Sequence, residues 1–192
     1  MKFTKMQGCG NDYVYIDTFH TAVNNRSELA RSFGIGSDGL IFINPSTRAD
    51  FEMEMYNLDG SRAQMCGNGM RCVGKYVFDH GLTQKTSFTV DTLSGIKQVR
   101  LETKDGKVKS VSVDMGGASI LAEELPLCTD AFDEYREGAG SKLTVLGRSY
   151  TVTCVSMGNP HCVIFTDEPV EQIDLERIGA AFEVPFNIPR FY

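Results

Sequence analysis

A weak internal repeat constrains the fold of this chain more than any other feature of its sequence. Gly10-Asn11 leads into an apolar run that ends in an aspartate, and Gly158-Asn159 leads into a second run of the same kind. A short segment that goes from an acidic to a basic residue follows each run, Glu28-Leu29-Ala30-Arg31 in the first copy and Asp174-Leu175-Glu176-Arg177 in the second. The offset stays at about 146 to 150 residues, which predicts two similar lobes.

Most of the remaining pattern predicts short β-strands. Apolar β-rich runs or strict alternation predict strands at residues 13–16, 40–43, 51–56, 87–90, 97–101, 108–113, 143–145, 150–152 and 162–165. Lys104-Asp105-Gly106-Lys107 predicts a hairpin turn between two of these strands. We therefore expect a fold rich in antiparallel strands.

Two helices interrupt the predicted strands. Asn24-Asn25 caps a short helix from about Ser27 to Phe33, and a second helix begins near Gly67 and ends at His80-Gly81. The fold class is α+β. Gly116-Gly117 marks the expected domain boundary, which gives an N-terminal lobe of residues 1–116 and a partial C-terminal lobe of residues 117–192.

The start of the second helix carries the strongest chemical signal. Cys66-Gly67-Asn68-Gly69 places a thiol and an amide beside two glycines at the point where the helix begins. A helix N-terminus leaves backbone N–H groups unpaired and carries partial positive charge, so it favours a thiolate and can hold a substrate carboxylate. Cys66 is therefore interpreted as a reactive thiol, and the alternative is a small buried residue.

Composition and the other motifs exclude several classes of function. The net charge is −6 with scattered Lys and Arg, which disfavours nucleic-acid binding, and no apolar run predicts a signal peptide or a membrane span. We expect a cytoplasmic location, reduced cysteines and no metal site, since the spacing of the six cysteines fits neither a disulfide framework nor zinc knuckles. The glycines of Gly34–Gly39 precede a strand, the reverse of a dinucleotide loop.

Five motifs in order resemble the diaminopimelate epimerase family. They are Gln7-Gly8-Cys9-Gly10-Asn11-Asp12-Tyr13, Gly34-Ile35-Gly36-Ser37-Asp38-Gly39, Tyr56-Asn57-Leu58-Asp59-Gly60-Ser61, Cys66-Gly67-Asn68-Gly69-Met70-Arg71-Cys72 and Met157-Gly158-Asn159-Pro160-His161. The resemblance implies two pseudo-symmetric lobes of mostly antiparallel sheet, each wrapped around a central helix. It also implies cofactor-independent epimerisation of LL- to meso-diaminopimelate, a precursor of lysine and peptidoglycan, by a pair of cysteines.

The resemblance also implies the site residues. Cys66 is one of the two acid/base cysteines, and the residues expected to bind diaminopimelate are Asn11, Asn57, Gly67, Asn68 and Asn159. His161 either shapes the site or is satisfied by the backbone. The resemblance implies no cofactor and no partner beyond the small-molecule substrate, with a homodimer as one expected assembly.

The second catalytic cysteine of the family has no counterpart in this sequence. The repeat would put it near position ~214, beyond Tyr192, so the second lobe is expected to be incomplete. Three other cysteines lack a glycine-rich helix start and are interpreted as structural, namely Cys128, Cys154 and Cys162; Cys9 and Cys72 receive the same interpretation. The alternatives left open are a related cofactor-free amino acid racemase, a thiol hydrolase or transferase that uses Cys66, and a non-catalytic remnant.

Overall fold

The computed structural model describes residues 2–32, 36–125, 127–158 and 160–183. Contacts divide this part of the chain into two compact units, one that extends to Met115 and one that begins at Gly116. Each unit has its own apolar core, and each is described by itself.

One large sheet and two helices make up the first unit. The strands are β1 (Thr4–Gly8), β2 (Asn11–Asp17), β3 (Gly39–Asn44), β4 (Phe51–Asn57), β5 (Arg62–Ala63), β6 (Ser87–Asp91), β7 (Lys97–Lys104) and β8 (Lys107–Val113), and the helices are α1 (Arg26–Ser32) and α2 (Gly67–Asp79). The strand order is β1-β2-β3-β4-β6-β7-β8, with β5 paired to β4. β2 with β3 and β4 with β6 are parallel pairs, and the other pairs are antiparallel.

Helix α2 lies against the concave face of this sheet. Strands β1 and β8, at the two ends of the strand order, both contact α2, so the sheet curls around the helix. The helix buries Met70, Val73 and Val77 in a core that also contains Phe88 and Val99 of the sheet. A buried apolar stripe at helical spacing is what anchors α2 and thereby fixes the position of its first turn.

Strand β3 is buried on both faces because both faces of the sheet are covered there. Ile41 and Ile43 point into the core beneath α2, whereas Leu40 and Phe42 pack with Ala30 of α1. The alternation follows from the period of two in a strand. A strand covered on both sides is a rigid support for the residues at its ends.

A smaller sheet forms the second unit. Its strands are β9 (Ala139–Val145), β10 (Arg148–Ser156) and β11 (Pro160–Ile164), in the order β11-β10-β9, and its helix is α3 (Leu175–Glu183). Short 3-10 helices cover Ala122–Glu124, Thr129–Ala131 and Val170–Gln172. Phe182 of α3 packs edge-on against Tyr150 of β10 and belongs to the core of this unit.

The predicted strands and the α+β class are confirmed. The turn at Asp105-Gly106 has positive φ at both residues, 52° and 72°, as a two-residue hairpin requires. Helix α1 begins one residue earlier than expected, and α3 is a third helix that the repeat had only aligned with α1. Strands β1 and β5 are not predicted, because neither has an apolar run of its own.

Candidate active site

Cys66 is the N-cap residue of α2. Its backbone is extended, with φ −134° and ψ 118°, and its sulfur accepts a hydrogen bond from the Gly69 N–H at 3.4 Å. The Cys66 carbonyl accepts from the Met70 N–H at 2.8 Å, which is the first hydrogen bond of the helix. The sulfur therefore lies at the positive end of α2, beside first-turn N–H groups that have no partner within the helix.

Asn11 is the second hydrogen-bond partner of the Cys66 sulfur. The Cys66 thiol donates to Asn11 Oδ1 at 3.1 Å, and Asn11 Nδ2 donates to Asp38 Oδ2 at 2.5 Å. Asp38 Oδ2 also accepts from the Asp12 N–H at 3.0 Å, and the Asp38 N–H donates to the Asp12 carbonyl at 2.8 Å. Because β2 and β3 run parallel, the first residues of β2 and the residue before β3 lie close together at one end of the sheet.

Asn68 and Gly67 continue the first turn of α2. The Arg71 guanidinium donates to Asn68 Oδ1 and lies 3.5 Å from the Cys9 sulfur. With its oxygen occupied, the Asn68 amide offers its NH₂ group as a donor. A Cβ added to Gly67 would meet the Met115 sulfur at 3.5 Å, an ordinary contact, so space alone does not require glycine there.

Asn57 lies at the same end of the sheet but not in the cluster around Cys66. It ends β4, where its backbone faces Gly39, the residue after Asp38. Its side chain donates to Ser61 Oγ at 3.0 Å within its own turn. The expected binding role of Asn57 stays a prediction, and that of Asn159 lies outside the described residues.

Tyr13 is a member of the cluster that the sequence analysis missed. It is 6% exposed and belongs to the core against which Cys66 packs. Burial and the neighbouring Cys66 raise the pKa of Tyr13 to about 12, so the hydroxyl keeps its proton at neutral pH. Asn11 and Tyr13 are two residues apart in one strand, and this spacing was the available signal that they share a face.

The other cysteines lie in different surroundings. Burial raises the pKa of Cys72, which packs in the core of the first unit. Cys154 and Cys162 face each other across β10 and β11, where Cys162 lowers the pKa of Cys154 and Cys154 raises that of Cys162. Cys128 precedes a 3-10 turn without capping it through its side chain. Among the described residues, Cys66 alone is a cysteine at the N-cap of an α-helix.

Within the described ranges, no three or more His, Cys, Asp or Glu side chains are grouped so as to hold a metal ion. No helix in the same ranges is long and apolar enough to cross a membrane.

Comparison of the sequence with known proteins points to one family. The family model described as diaminopimelate epimerase matches residues 3–121. A diaminopimelate epimerase of Methanococcus maripaludis is 46% identical over 99% of this chain and 69% of its own length. One of Acetivibrio thermocellus is 50% identical over 95% of this chain and 65% of its own length. The chain thus spans about two thirds of the length of these curated relatives.

Solved structures agree on the fold at much lower identity. A hydroxyproline epimerase from Agrobacterium vitis superimposes with a TM-score of 0.61 at 13% identity, over 92% of this chain and 52% of that one. A probable proline racemase from Agrobacterium radiobacter gives 0.62 at 15% identity over the same shares. At these identities the likeness concerns the fold alone.

Proposed function

The chain belongs to the diaminopimelate epimerase family, and from that premise we propose that it takes part in the cofactor-independent epimerisation of LL- to meso-diaminopimelate. The observation that carries the proposal is the sulfur of Cys66 at the N-cap of α2, between the Gly69 N–H and the Asn11 amide. The reaction supplies a precursor of lysine and peptidoglycan.

Cys66 would exchange the α-proton of the substrate. In one direction the α-carbon–hydrogen bond breaks, the proton passes to the Cys66 sulfur, and the electron pair stays on the α-carbon, delocalised into the carboxylate. An amino acid α-proton is weakly acidic, so the step needs a positioned base and donors for the developing charge. In the other direction the Cys66 thiol returns a proton to the α-carbon.

The first turn of α2 would bind the α-carboxylate. The Gly67 and Asn68 N–H groups stand at the positive end of the helix, where anions are stabilised. The Asn68 amide and the amides of Asn11, Asn57 and Asn159 would bind other polar groups of diaminopimelate, since an amide both donates and accepts. These assignments follow the family resemblance residue by residue.

Inversion requires a second acid/base group on the opposite face of the α-carbon. We propose a boundary after residue 116, which separates an N-terminal lobe of residues 1–116 from a partial C-terminal lobe of residues 117–192. Cys154 and Cys162 are poor candidates because they face each other across β10 and β11, with Cys154 in the apolar core and Cys162 packed against it. Family members supply this group from a later segment, by the resemblance set out above.

A thiol hydrolase or transferase is less well supported. Such an enzyme needs an imidazole or similar base beside the nucleophilic sulfur. The hydrogen bonds described for the Cys66 sulfur are with Asn11 and Gly69, and His80 stacks on Tyr76 at the far end of α2.

We also propose that the protein works in the cytoplasm. The six free cysteines fit a reducing compartment, and the proposed substrate is a small soluble metabolite. A homodimer stays a prediction, which sedimentation velocity would test.

The deciding experiment measures solvent exchange at the α-carbon. The protein expressed from its own gene is incubated with LL-diaminopimelate in D₂O, and incorporation of deuterium at the α-carbon is followed by NMR. We expect Cys66→Ala to lower the exchange rate by about 10³-fold, as for loss of a general acid/base. The matched control is Cys128→Ala, in the other unit, which should exchange at the parent rate.

Two results would overturn the proposal. Exchange that persists in Cys66→Ala would remove Cys66 from the reaction. If the parent protein neither binds diaminopimelate nor exchanges its α-proton, diaminopimelate is not the substrate.

A further inference from the structure

The orientation of the Asn11 side-chain amide decides which kind of group faces the Cys66 sulfur. One end of an amide is a carbonyl oxygen, which only accepts hydrogen bonds, and the other end is an NH₂ group, which only donates them. Asn11 Oδ1 accepts from the Cys66 thiol at 3.1 Å, so the carbonyl end faces the sulfur. The two ends have nearly the same shape, so a polar neighbour rather than packing has to select between them.

Asp38 is the polar neighbour at the other end of this amide. Its Oδ2 accepts from Asn11 Nδ2 at 2.5 Å. A carboxylate has no proton to donate, so only the NH₂ end of Asn11 can face it, and the carbonyl end is left for Cys66. If the amide were turned over, two oxygens would face each other at Asp38 and two donors would face each other at Cys66. The Asp38 carboxylate therefore selects the observed orientation.

The Asp38 carboxylate is itself held in place by the start of β2. The Asp12 N–H donates to the same Oδ2 at 3.0 Å, and the Asp38 N–H donates to the Asp12 carbonyl at 2.8 Å. Lys5 Nζ binds the Asp12 carboxylate at 2.7 Å and the Gly36 carbonyl at 2.5 Å, so it links β1 to the segment before β3. Because these groups are fixed before the reaction, none of them has to reorient during it.

The position of the Asp38 oxygen matters more than its charge. Asp38 is exposed, so water and salt screen its carboxylate, and its hydrogen bonds connect it to the Cys66 sulfur through Asn11. The amide of Asn68, in the first turn of α2, is turned the other way by a cation, because Arg71 donates to its oxygen. Each of these two amides thus takes its orientation from the charged residue beside it.

We propose that Asp38 is a positioning residue for the reaction at Cys66: it holds the NH₂ end of Asn11, so that the carbonyl end is the one presented to the thiol. The proposal rests on the proposed function, because it presumes that Cys66 is the acid/base group. A fixed acceptor holds the thiol in one orientation, and proton transfer depends on such orientation. The segment before β3, which does not fit a dinucleotide loop, thereby has a role, since it brings Asp38 to the start of β2.

The test is a double-mutant cycle in the α-proton exchange assay. Asp38→Ala removes the acceptor and lets the Asn11 amide turn over, so we expect kcat/KM to fall about tenfold, as for loss of a hydrogen bond to a charged group. In an Asn11→Ala background the same substitution should change kcat/KM less than about twofold, because no amide is left to orient. Equal losses in both backgrounds, or no loss in Asp38→Ala, would overturn the proposal.

Asp38→Asn is the conservative variant. Its side-chain oxygen can take the place of Oδ2 and accept from both Asn11 and the Asp12 N–H, so it should recover most of the rate that Asp38→Ala loses. A rate as low as that of Asp38→Ala would show that the charge matters rather than the placed acceptor, and would overturn the proposal. Urea unfolding reports whether each variant folds. Asp38→Ser, whose hydroxyl is too short to reach Asn11, replaces Asp38→Ala if the latter is unfolded.

Asp17→Ala is the matched control. Asp17 ends β2, at the opposite end of the strand from Asn11, and its carboxylate accepts from the Phe19 N–H at 2.7 Å. The substitution removes a bond of the same kind, from a backbone N–H to a carboxylate, without touching Asn11. We therefore expect kcat/KM at its parent value. A loss as large as that in Asp38→Ala would show a general effect of weakening β2 and would overturn the proposal.

The side-chain NMR signals of Asn11 test its orientation without substrate. In protein labelled with ¹⁵N-asparagine, the NH₂ pair of Asn11 is the one that is missing in Asn11→Ala. The bond to Asp38 should shift one proton of this pair downfield, and the shift should be lost in Asp38→Ala and kept in Asp17→Ala. An unchanged pair in folded Asp38→Ala overturns the role of Asp38 and leaves the proposed function intact. Absence of α-proton exchange in the parent overturns the proposed function, and the NMR signals then decide alone whether Asp38 orients Asn11.

Discussion

Cys66 in the first unit and the Cys154–Cys162 pair in the second are thiols in opposite surroundings. Cys66 is half-buried at the N-cap of α2, where its sulfur accepts from a backbone N–H and donates to an amide oxygen. Cys154 is 7% exposed in an apolar core and lies directly opposite Cys162 on the neighbouring strand. The same residue type is therefore placed once among groups that suit proton transfer and once among groups that suit packing.

The partner of each sulfur explains the difference. Cys162 lowers the pKa of Cys154, whereas Cys154 together with burial raises the pKa of Cys162. Cys154 belongs to the apolar core of the second unit, and Cys162 packs against that core. Cys66 has partners that are not thiols, and it lies at the end of a helix where an anion can bind.

The largest expected effect is a loss of stability at the β3–β4 pair, which lies next to Asp38, the partner of Asn11 in the candidate site. A Cβ on Gly39 would lie 2.1 Å from the Tyr56 carbonyl oxygen, so the β3–β4 pair next to Asp38 must separate. We expect Gly39→Ala to cost about 3 kcal/mol of stability, at the upper end of overpacking effects. Hydrogen exchange of the β3 and β4 amides, followed by mass spectrometry, measures the loss.

Gly117 in the second unit is the control for that substitution. It is exposed, and a Cβ there would meet nothing within 4 Å. Gly117→Ala should stay within about 0.5 kcal/mol of the parent. If β3 and β4 were equally protected in both variants, the close approach at Gly39 would have no part in holding the site together.

The next effect is the reactivity of the thiols themselves. In the folded parent protein, iodoacetamide should modify Cys66 at least about tenfold faster than Cys154, because Cys154 is buried in an apolar core whereas Cys66 is only half-buried. Peptide mapping of partly labelled protein gives both rates. In urea the ratio should approach one, since the folded surroundings alone distinguish the two residues. Equal rates in the folded protein would refute the contrast between the two units.

Much of the strand framework follows from local sequence. Phe51 to Tyr56 alternates and forms β4 with its apolar residues buried, and Asp105-Gly106 forms the hairpin turn that its residue types predict. Strand β1 could not be predicted in this way. It owes its conformation to pairing with β2 and to contact with α2, which no local window contains.

The residues of the candidate site also differ in whether local sequence predicts their place. Cys66 could be recognised because the glycines and amide that surround it in space also surround it in sequence. Asp38 and Asn11 are 27 residues apart and meet only because β2 and β3 are parallel, a pairing that the sequence pattern does not specify. Tyr13 has the pattern of a core aromatic residue, and its closeness to Cys66, which helps to raise its pKa, is not predicted by any local pattern.

The smallest expected effect concerns Asp50, whose carboxylate links the start of β4 to β6 in the first unit. Asp50 accepts from Lys85 Nζ at 2.5 Å and from the Thr89 N–H at 2.9 Å, and these bonds lower its pKa. Asp50→Asn removes the charge, so we expect a loss of about 1 kcal/mol at pH 7, measured by urea unfolding.

The loss of stability in Asp50→Asn should depend on pH, because it comes from the charged form of the Asp50 carboxyl group. A carboxyl whose folded pKa is lowered adds stability above its unfolded pKa of about 3.9, and this stability disappears as the pH falls through the folded pKa. The gap between Asp50→Asn and the parent should therefore be constant from pH 7 to about pH 5 and narrow below about pH 4. Asp130→Asn, at an exposed carboxyl of the second unit, should show no gap at any of these pH values. If Asp50→Asn were as stable as the parent protein at pH 7, the bonds of Asp50 to Lys85 and Thr89 would add nothing to the stability of the first unit.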